Sequence, residues 1–113
     1  MIGKDLVAAS SRPLLLAILS EGESYGYAIV QRVRELSGEE LQWTDGMLYP
    51  ILHRLERQGL IVSEWRKGDF GRRRKYYQIV SDGKKALTEE RRQWGVVHQT
   101  LNKLWKEPVP CSI

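Results

Sequence analysis

The 113-residue chain predicts a mainly α fold completed by a small β-hairpin. Three observations carry this. Apolar residues recur at helical spacing in three successive segments, residues 14–19, 25–36 and 48–55. Two strand-like runs follow, residues 61–65 and 75–80, with Gly68 and Gly71 between them to allow a turn. Beyond Ser81, apolar positions step by three and four as far as Leu104. Three helices, a hairpin and one long helix make the layout of a winged helix-turn-helix carrying a C-terminal dimerisation helix. The expected boundaries are residues 1–80 for the winged domain, 81–106 for the dimerisation helix and 107–113 for a flexible tail.

Residues 1–10 are weakly patterned, with Leu6 and Val7 as packing contacts. Ser11 can cap the first helix, and Pro13 is tolerated in a first turn. Glu21-Gly22-Glu23-Ser24 stops that helix, and Ser24 can cap the second. Tyr25, Ile29, Val33 and Leu36 share one face, and Ser37-Gly38 ends it. Leu41-Gln42-Trp43 reads as a short extended piece, a candidate small strand. Thr44 or Asp45 can cap the third helix, with Leu48, Ile51, Leu52 and Leu55 as its buried stripe. Gly59 ends it, with Arg57 in the last turn, where the helix dipole favours a cation. Ser81 or Asp82 begins the last helix. There Leu87, Glu90, Trp94, Val97, Leu101 and Leu104 have the spacing of a coiled-coil seam, and Pro108 and Pro110 end it.

Length allows one domain with a modest core. No apolar run approaches the roughly 20 residues that span a bilayer, and the N-terminus lacks the order of a secretory signal, so the expected compartment is the cytoplasm with no membrane partner. Cys111 is the sole cysteine, so no intrachain disulfide forms. One thiol with His53 and His98 makes no closed zinc site, and no metal or other cofactor is expected. No nucleophile–base spacing or Gly-rich phosphate loop argues for an enzyme. Glu39-Glu40 and Glu89-Glu90 are adjacent carboxylates, which point about 100° apart on a helix and do not converge.

The net charge of +4 is unevenly placed. Residues 65–77 hold six basic side chains and one acidic, whereas the rest of the chain is slightly acidic. A positive excess confined to one short stretch is the footprint of a polyanion binder. Opposite its buried stripe, the third helix presents Gly46, Tyr49, Pro50, His53, Arg54 and Arg57, a face with no carboxylate at its centre. Arg54 or Arg57 can reach guanine or phosphate, and Tyr49 can donate to phosphate. Thr44 and Tyr25 are counted with them as DNA-contacting residues. In the hairpin, Arg72, Arg73, Arg74 and Lys75 are the phosphate candidates, and strand alternation lets about half of them face one backbone. Tyr76 and Tyr77 point opposite ways, one toward the core and one toward DNA. Pro50 crowds the Gly46 carbonyl, so either the helix starts late or its first turn is distorted.

Tyr25-Gly26-Tyr27, the string Gly46-Met47-Leu48-Tyr49-Pro50-Ile51-Leu52-His53-Arg54-Leu55-Glu56, Gly59-Leu60-Ile61 and Gly71-Arg72-Arg73-Arg74-Lys75-Tyr76-Tyr77 together resemble the PadR family of bacterial transcriptional regulators. The resemblance covers roughly Leu14 to Leu87. It implies a winged-helix homodimer that represses a promoter by binding a palindromic DNA operator and is released by a small aromatic or phenolic molecule. It is closest in kind to the short branch, in which one C-terminal helix makes the dimer. Position 47 is usually a small hydroxyl residue in such proteins, and Met47 removes a phosphate contact that the pattern would supply.

An isolated last helix would expose Trp94, Val97, Leu101 and Leu104 along one stripe, which the first helix and a twofold partner would cover. Leu87 and Trp105 extend that expected interface. Trp94 is an interface anchor on one reading and a stacking platform for a flat aromatic ligand on the other, as some short-branch relatives imply. Trp43 and Trp65 are expected in the core or at the base of the wing. The competing functional reading is a winged-helix protein-interaction module whose basic hairpin docks an acidic partner.

Overall fold

The computed structural model describes residues 2–106, so the expected tail at 107–113, with Pro108, Pro110 and Cys111, lies outside the described residues. The elements are α1 (Lys4–Ser20), β1 (Ser24–Tyr25), α2 (Gly26–Leu36), α3 (Asp45–Arg57), β2 (Ile61–Lys67), β3 (Arg73–Ile79) and α4 (Ser81–Leu104). The strands form one antiparallel sheet in the order β1-β3-β2, with Ile61 opposite Ile79 and Lys67 opposite Arg73 along the wing. A single-turn helix at Asp69–Gly71 closes the tip, where Phe70 is fully exposed. No helix among the described residues is long and apolar enough to cross a membrane.

One core joins these elements. Leu15, Leu16 and Leu19 of α1 meet Ile29 and Val33 of α2, Leu48, Leu52 and Leu55 of α3, and Ile61 and Tyr77 of the sheet, all essentially without solvent contact. Each such aliphatic side chain contributes about 1.5–3 kcal/mol on burial. α3 ends as its sequence suggests. The amide of Gly59, at φ 76°, donates to the Glu56 carbonyl and that of Leu60 to the Leu55 carbonyl, the paired bonds of a Schellman cap.

Several sequence expectations are corrected. α1 starts at Lys4, two turns before Ser11. Ser11 is buried, and its hydroxyl donates back to the Ala8 carbonyl at 2.8 Å, so it is not a cap, and Pro13 lies in the helix interior. Ser24 belongs to β1, and Tyr25 stands at the N-cap of α2 without a side-chain cap bond. The small strand is therefore Ser24–Tyr25, paired with Tyr77 and Tyr76, whereas Leu41–Trp43 has no strand pairing and contributes Trp43 to the core. Leu36, expected on the buried face of α2, is 57% exposed. Pro50 sits in a helix that already runs from Asp45, so the late-start reading fails.

α4 docks on the base of the hairpin through Gly83 and Leu87, both buried. The amide of Val80 donates to the Leu60 carbonyl at 3.1 Å, and Gly83 packs directly on that same carbonyl. Glu90, inside the expected seam, is paired within the chain. Arg12 of α1 donates from Nε to its carboxylate at 2.7 Å and from Nη1 to Gln58, the C-cap of α3, at 2.7 Å.

Candidate nucleic-acid interface

α3 is set by its own cap. The Thr44 hydroxyl oxygen accepts from the Met47 amide at 3.3 Å, and Asp45 places a carboxylate in the positive first turn. With Leu48, Leu52 and Leu55 inward, Tyr49, Pro50, His53, Arg54 and Arg57 all face solvent. The wing is fixed beside this helix by a short bond, Ser63 Oγ donating to the Glu56 carboxylate at 2.6 Å.

A groove of about 680 Å³ runs between the two elements. Tyr25, Tyr49 and His53 line one side, and Arg72, Arg73, Arg74 and Lys75 line the other. Four cations and three hydrogen-bonding aromatic side chains therefore converge on one concave surface. Its wing wall is built on an aromatic ring: the Arg73 guanidinium lies 5.2 Å from the Trp65 ring centre and the Lys75 ammonium 5.9 Å. Such contacts hold long side chains in place without neutralising them, leaving their charge available to an anion.

Alternation in β3 is observed. Tyr77 is buried beneath the groove, whereas Tyr76 lies on the outer sheet face, its ring edge-on to Tyr25 at 5.4 Å. Arg74 stacks over Tyr25 at 4.4 Å, at the rim between the two faces. Thr44, Pro50 and Arg57 are exposed but outside the groove lining, as is Tyr76. Arg54 lines a second groove of about 410 Å³ on the opposite flank of α3, with Lys4, Val7, Met47 and Ile51. Met47 packs there against the core, turned away from the wing.

Two features of the site escaped the sequence. Trp65 was expected at the wing base or in the core, yet it is 56% exposed and serves as the platform for Arg73 and Lys75. Gly26 is a place of close approach: a Cβ there would overlap the hydroxyl of Tyr49 and stand 3.1 Å from its Cζ, so the phenol would have to shift. The Tyr25-Gly26-Tyr27 string thus has a packing reason, since glycine lets the Tyr49 phenol lie on the start of α2.

The Tyr77 hydroxyl finds no hydrogen-bond partner among the described residues. Burial pushes this phenol up to about 12, with Tyr49 and Glu56 adding to the shift. A folded-state value above the ordinary 10 means that the stability tied to the neutral phenol is complete below pH 10 and is lost as pH rises toward 12. In that window the wild-type chain is expected to lose about 1.4 kcal/mol per pH unit more than Tyr77→Phe. Urea titrations of both proteins at stepped alkaline pH measure this, and parallel losses would contradict it.

Among the described residues, no group of three or more His, Cys, Asp or Glu side chains is placed to hold a metal ion. Residues 15–89 match the family described as the transcriptional regulator PadR-like family. The chain is 40% identical over 89 residues to the transcriptional regulator Rv3488 of Mycobacterium tuberculosis, covering 79% of each chain. Among solved structures, a transcriptional regulator from Clostridium thermocellum superposes with a TM-score of 0.82 at 31% identity, covering 91% of this chain and 100% of the other. A PadR family transcriptional regulator from Eggerthella lenta superposes with a TM-score of 0.75 at 35% identity, covering 90% and 87%.

Proposed function

Because this chain belongs to the PadR-like family of transcriptional regulators, we propose that it binds operator DNA as a twofold dimer, each α3 entering a major groove and each wing following the adjacent backbone. The observation that carries this reading is the shared groove in which Tyr49 and His53 of α3 face Arg72, Arg73, Arg74 and Lys75 of the wing. Base edges are read by the exposed outer side of α3, with His53, Arg54 and Arg57 as readers. Tyr25, Thr44, Tyr49 and Pro50 border the phosphates, and the wing cations neutralise the backbone, with Tyr76 supporting them from the outer face. The regulatory sense is repression, since a dimer seated on a promoter occludes it.

The dimer is supported by what α4 leaves uncovered. Val97 is 50% exposed and Leu104 77%, on the same helix as half-buried Trp94 and Leu101, and Trp105 at its C-cap is 64% exposed. Ile2, Leu6, Leu14, Leu87 and Trp94 line an apolar groove of about 460 Å³ between α1 and α4. A second copy covers both, and facing Trp94 indoles form the site of a small aromatic effector that releases DNA. Trp94→Ala is expected to weaken the dimer or abolish ligand quenching of tryptophan fluorescence. Unchanged mass by light scattering together with unchanged quenching would remove Trp94 from this role.

Gel shifts on promoter fragments test the DNA reading. The wild-type chain should retard a subset of fragments, and Tyr49→Ala with Arg54→Ala should abolish that preference. Failure to retard any fragment would overturn the proposal and favour a protein-interaction module.

A further inference from the structure

Six basic residues lie between Trp65 and Tyr77, and simple charge counting would give all of them to the polyanion. The structure divides them. Arg72, Arg73, Arg74 and Lys75 line the groove beside α3. Arg66 does not. It points from β2 to the outer sheet face, where Nη1 and Nη2 donate to the two carboxylate oxygens of Glu23 at 2.5 and 2.8 Å. Its Nε donates to Glu64 at 3.2 Å, and its guanidinium lies 4.8 Å from the Tyr76 ring centre. A planar fork bound by two carboxylates and stacked on a ring has most of its donors engaged and its charge neutralised.

The position of Glu23 gives this cluster its meaning. Glu23 lies in the turn between α1 and β1, outside the hairpin. Together with the pairing of β1 with β3 and the packing of Tyr76 and Arg74 against Tyr25, the Arg66–Glu23 fork ties the outer face of the wing to the body of the domain. On the inner face Ser63 is bonded to Glu56 of α3. The hairpin is thus held from both sides, and the outer hold is close to its tip, since Arg66 stands opposite Arg74, one pair before the strands end at Lys67 and Arg73. Arg72 and Arg73 lie beyond that point, so a small rotation there would displace them from the groove wall.

We infer that Arg66 is a positioning residue, which with Glu23 sets the angle of the wing against α3 and so pre-orders the groove for DNA without touching phosphate. The inference rests on the DNA-binding reading above. Pre-ordering raises affinity by lowering the cost of fixing the wing on binding. Exposed ion pairs are modest in effect, and a bidentate one at the upper end is worth about threefold per wing, or about tenfold for a dimer with two wings.

Charge and position predict opposite signs, which makes the test sharp. Glu23→Gln raises the net charge and removes one of the two carboxylates paired with Arg66, so a phosphate-contacting Arg66 would bind DNA more tightly. The positioning role predicts about tenfold weaker binding with an unchanged salt slope. Arg66→Lys keeps the charge but loses the fork, and should weaken binding similarly. Both variants, in the full chain, are titrated by fluorescence anisotropy over a salt series, using a duplex enriched by the wild-type protein from a random pool. Hydrogen exchange of the free proteins is measured alongside and should show faster exchange of β2 and β3 amides beyond Arg66 in both variants. Equal or tighter binding by Glu23→Gln, a lowered salt slope in Arg66→Lys, or unchanged wing exchange would each overturn the inference. If the wild-type chain enriches no duplex, the DNA reading fails, and the exchange measurement still decides whether Arg66 positions the wing.

Discussion

Replacing Arg72, Arg73 and Lys75 together by alanine is expected to lower DNA affinity by about 100-fold at physiological salt while leaving the fold intact. The three side chains line the groove facing α3, on a hairpin whose core residue, Tyr77, is untouched by the change. If four to eight phosphates are neutralised per dimer, log K falls with log salt at a slope of roughly −4 to −7, and each lost contact removes about 0.9 from it. The triple variant should therefore show a clearly shallower slope as well as weaker binding. Its melting temperature should stay near wild type, because Arg72 and Arg73 are exposed and half-buried Lys75 meets the core only through its ammonium, 5.7 Å from the Tyr77 ring centre. A variant that bound as tightly as wild type, or weakly with an unchanged slope, would remove the wing from the phosphate contacts.

Gly83→Val is expected to cost about 3 kcal/mol of stability or more. A Cβ at this position would overlap the Leu60 carbonyl oxygen and stand 2.6 Å from Cγ1 of Ile79, so neither neighbour can yield cheaply. Relief requires α4 to lift off the hairpin base, combining an overpacking cost of about 1–3 kcal/mol with loss of the Val80–Leu60 hydrogen bond, about 1 kcal/mol. For a chain of this size the melting temperature should fall by at least about 10 °C. The sign is informative, because an unobstructed helical glycine gains up to about 1 kcal/mol when replaced by alanine. An unchanged or raised melting temperature in a thermal scan would show that α4 does not seat where Gly83 places it.

The parts of this fold with a repeating physical cause were legible in the chain. The stripe of Leu48, Leu52 and Leu55 follows the helical period, and the hairpin follows from two apolar runs around Gly68 and Gly71. The start of α1 was hidden because Leu6, Val7, Ala8 and Ala9 in its first turns form one block without helical periodicity, and because Ser11 and Pro13 imitate a helix beginning while serving the interior. β1 is too short to have a period at all and exists through its pairing with the edge of β3. At the interface, alternation predicted that about half of Arg72, Arg73, Arg74 and Lys75 face one backbone, yet all four line the groove, because Arg72 precedes β3 and Arg74 reaches it across the Tyr25 ring. Exposure of Trp65, the turning of Arg54 to the far flank and the Arg12 link from Glu90 to Gln58 all depend on contacts between distant segments, which local spacing does not encode.

Chemical footprinting of a bound operator tests most directly whether α3 and the wing act as one surface repeated by a twofold axis. Guanine N7 methylation should be blocked in two windows about 10–10.5 base pairs apart, with the sugar-phosphate backbone protected beside each. A single window, protection without major-groove blocking, or windows on opposite faces of the duplex would contradict the account.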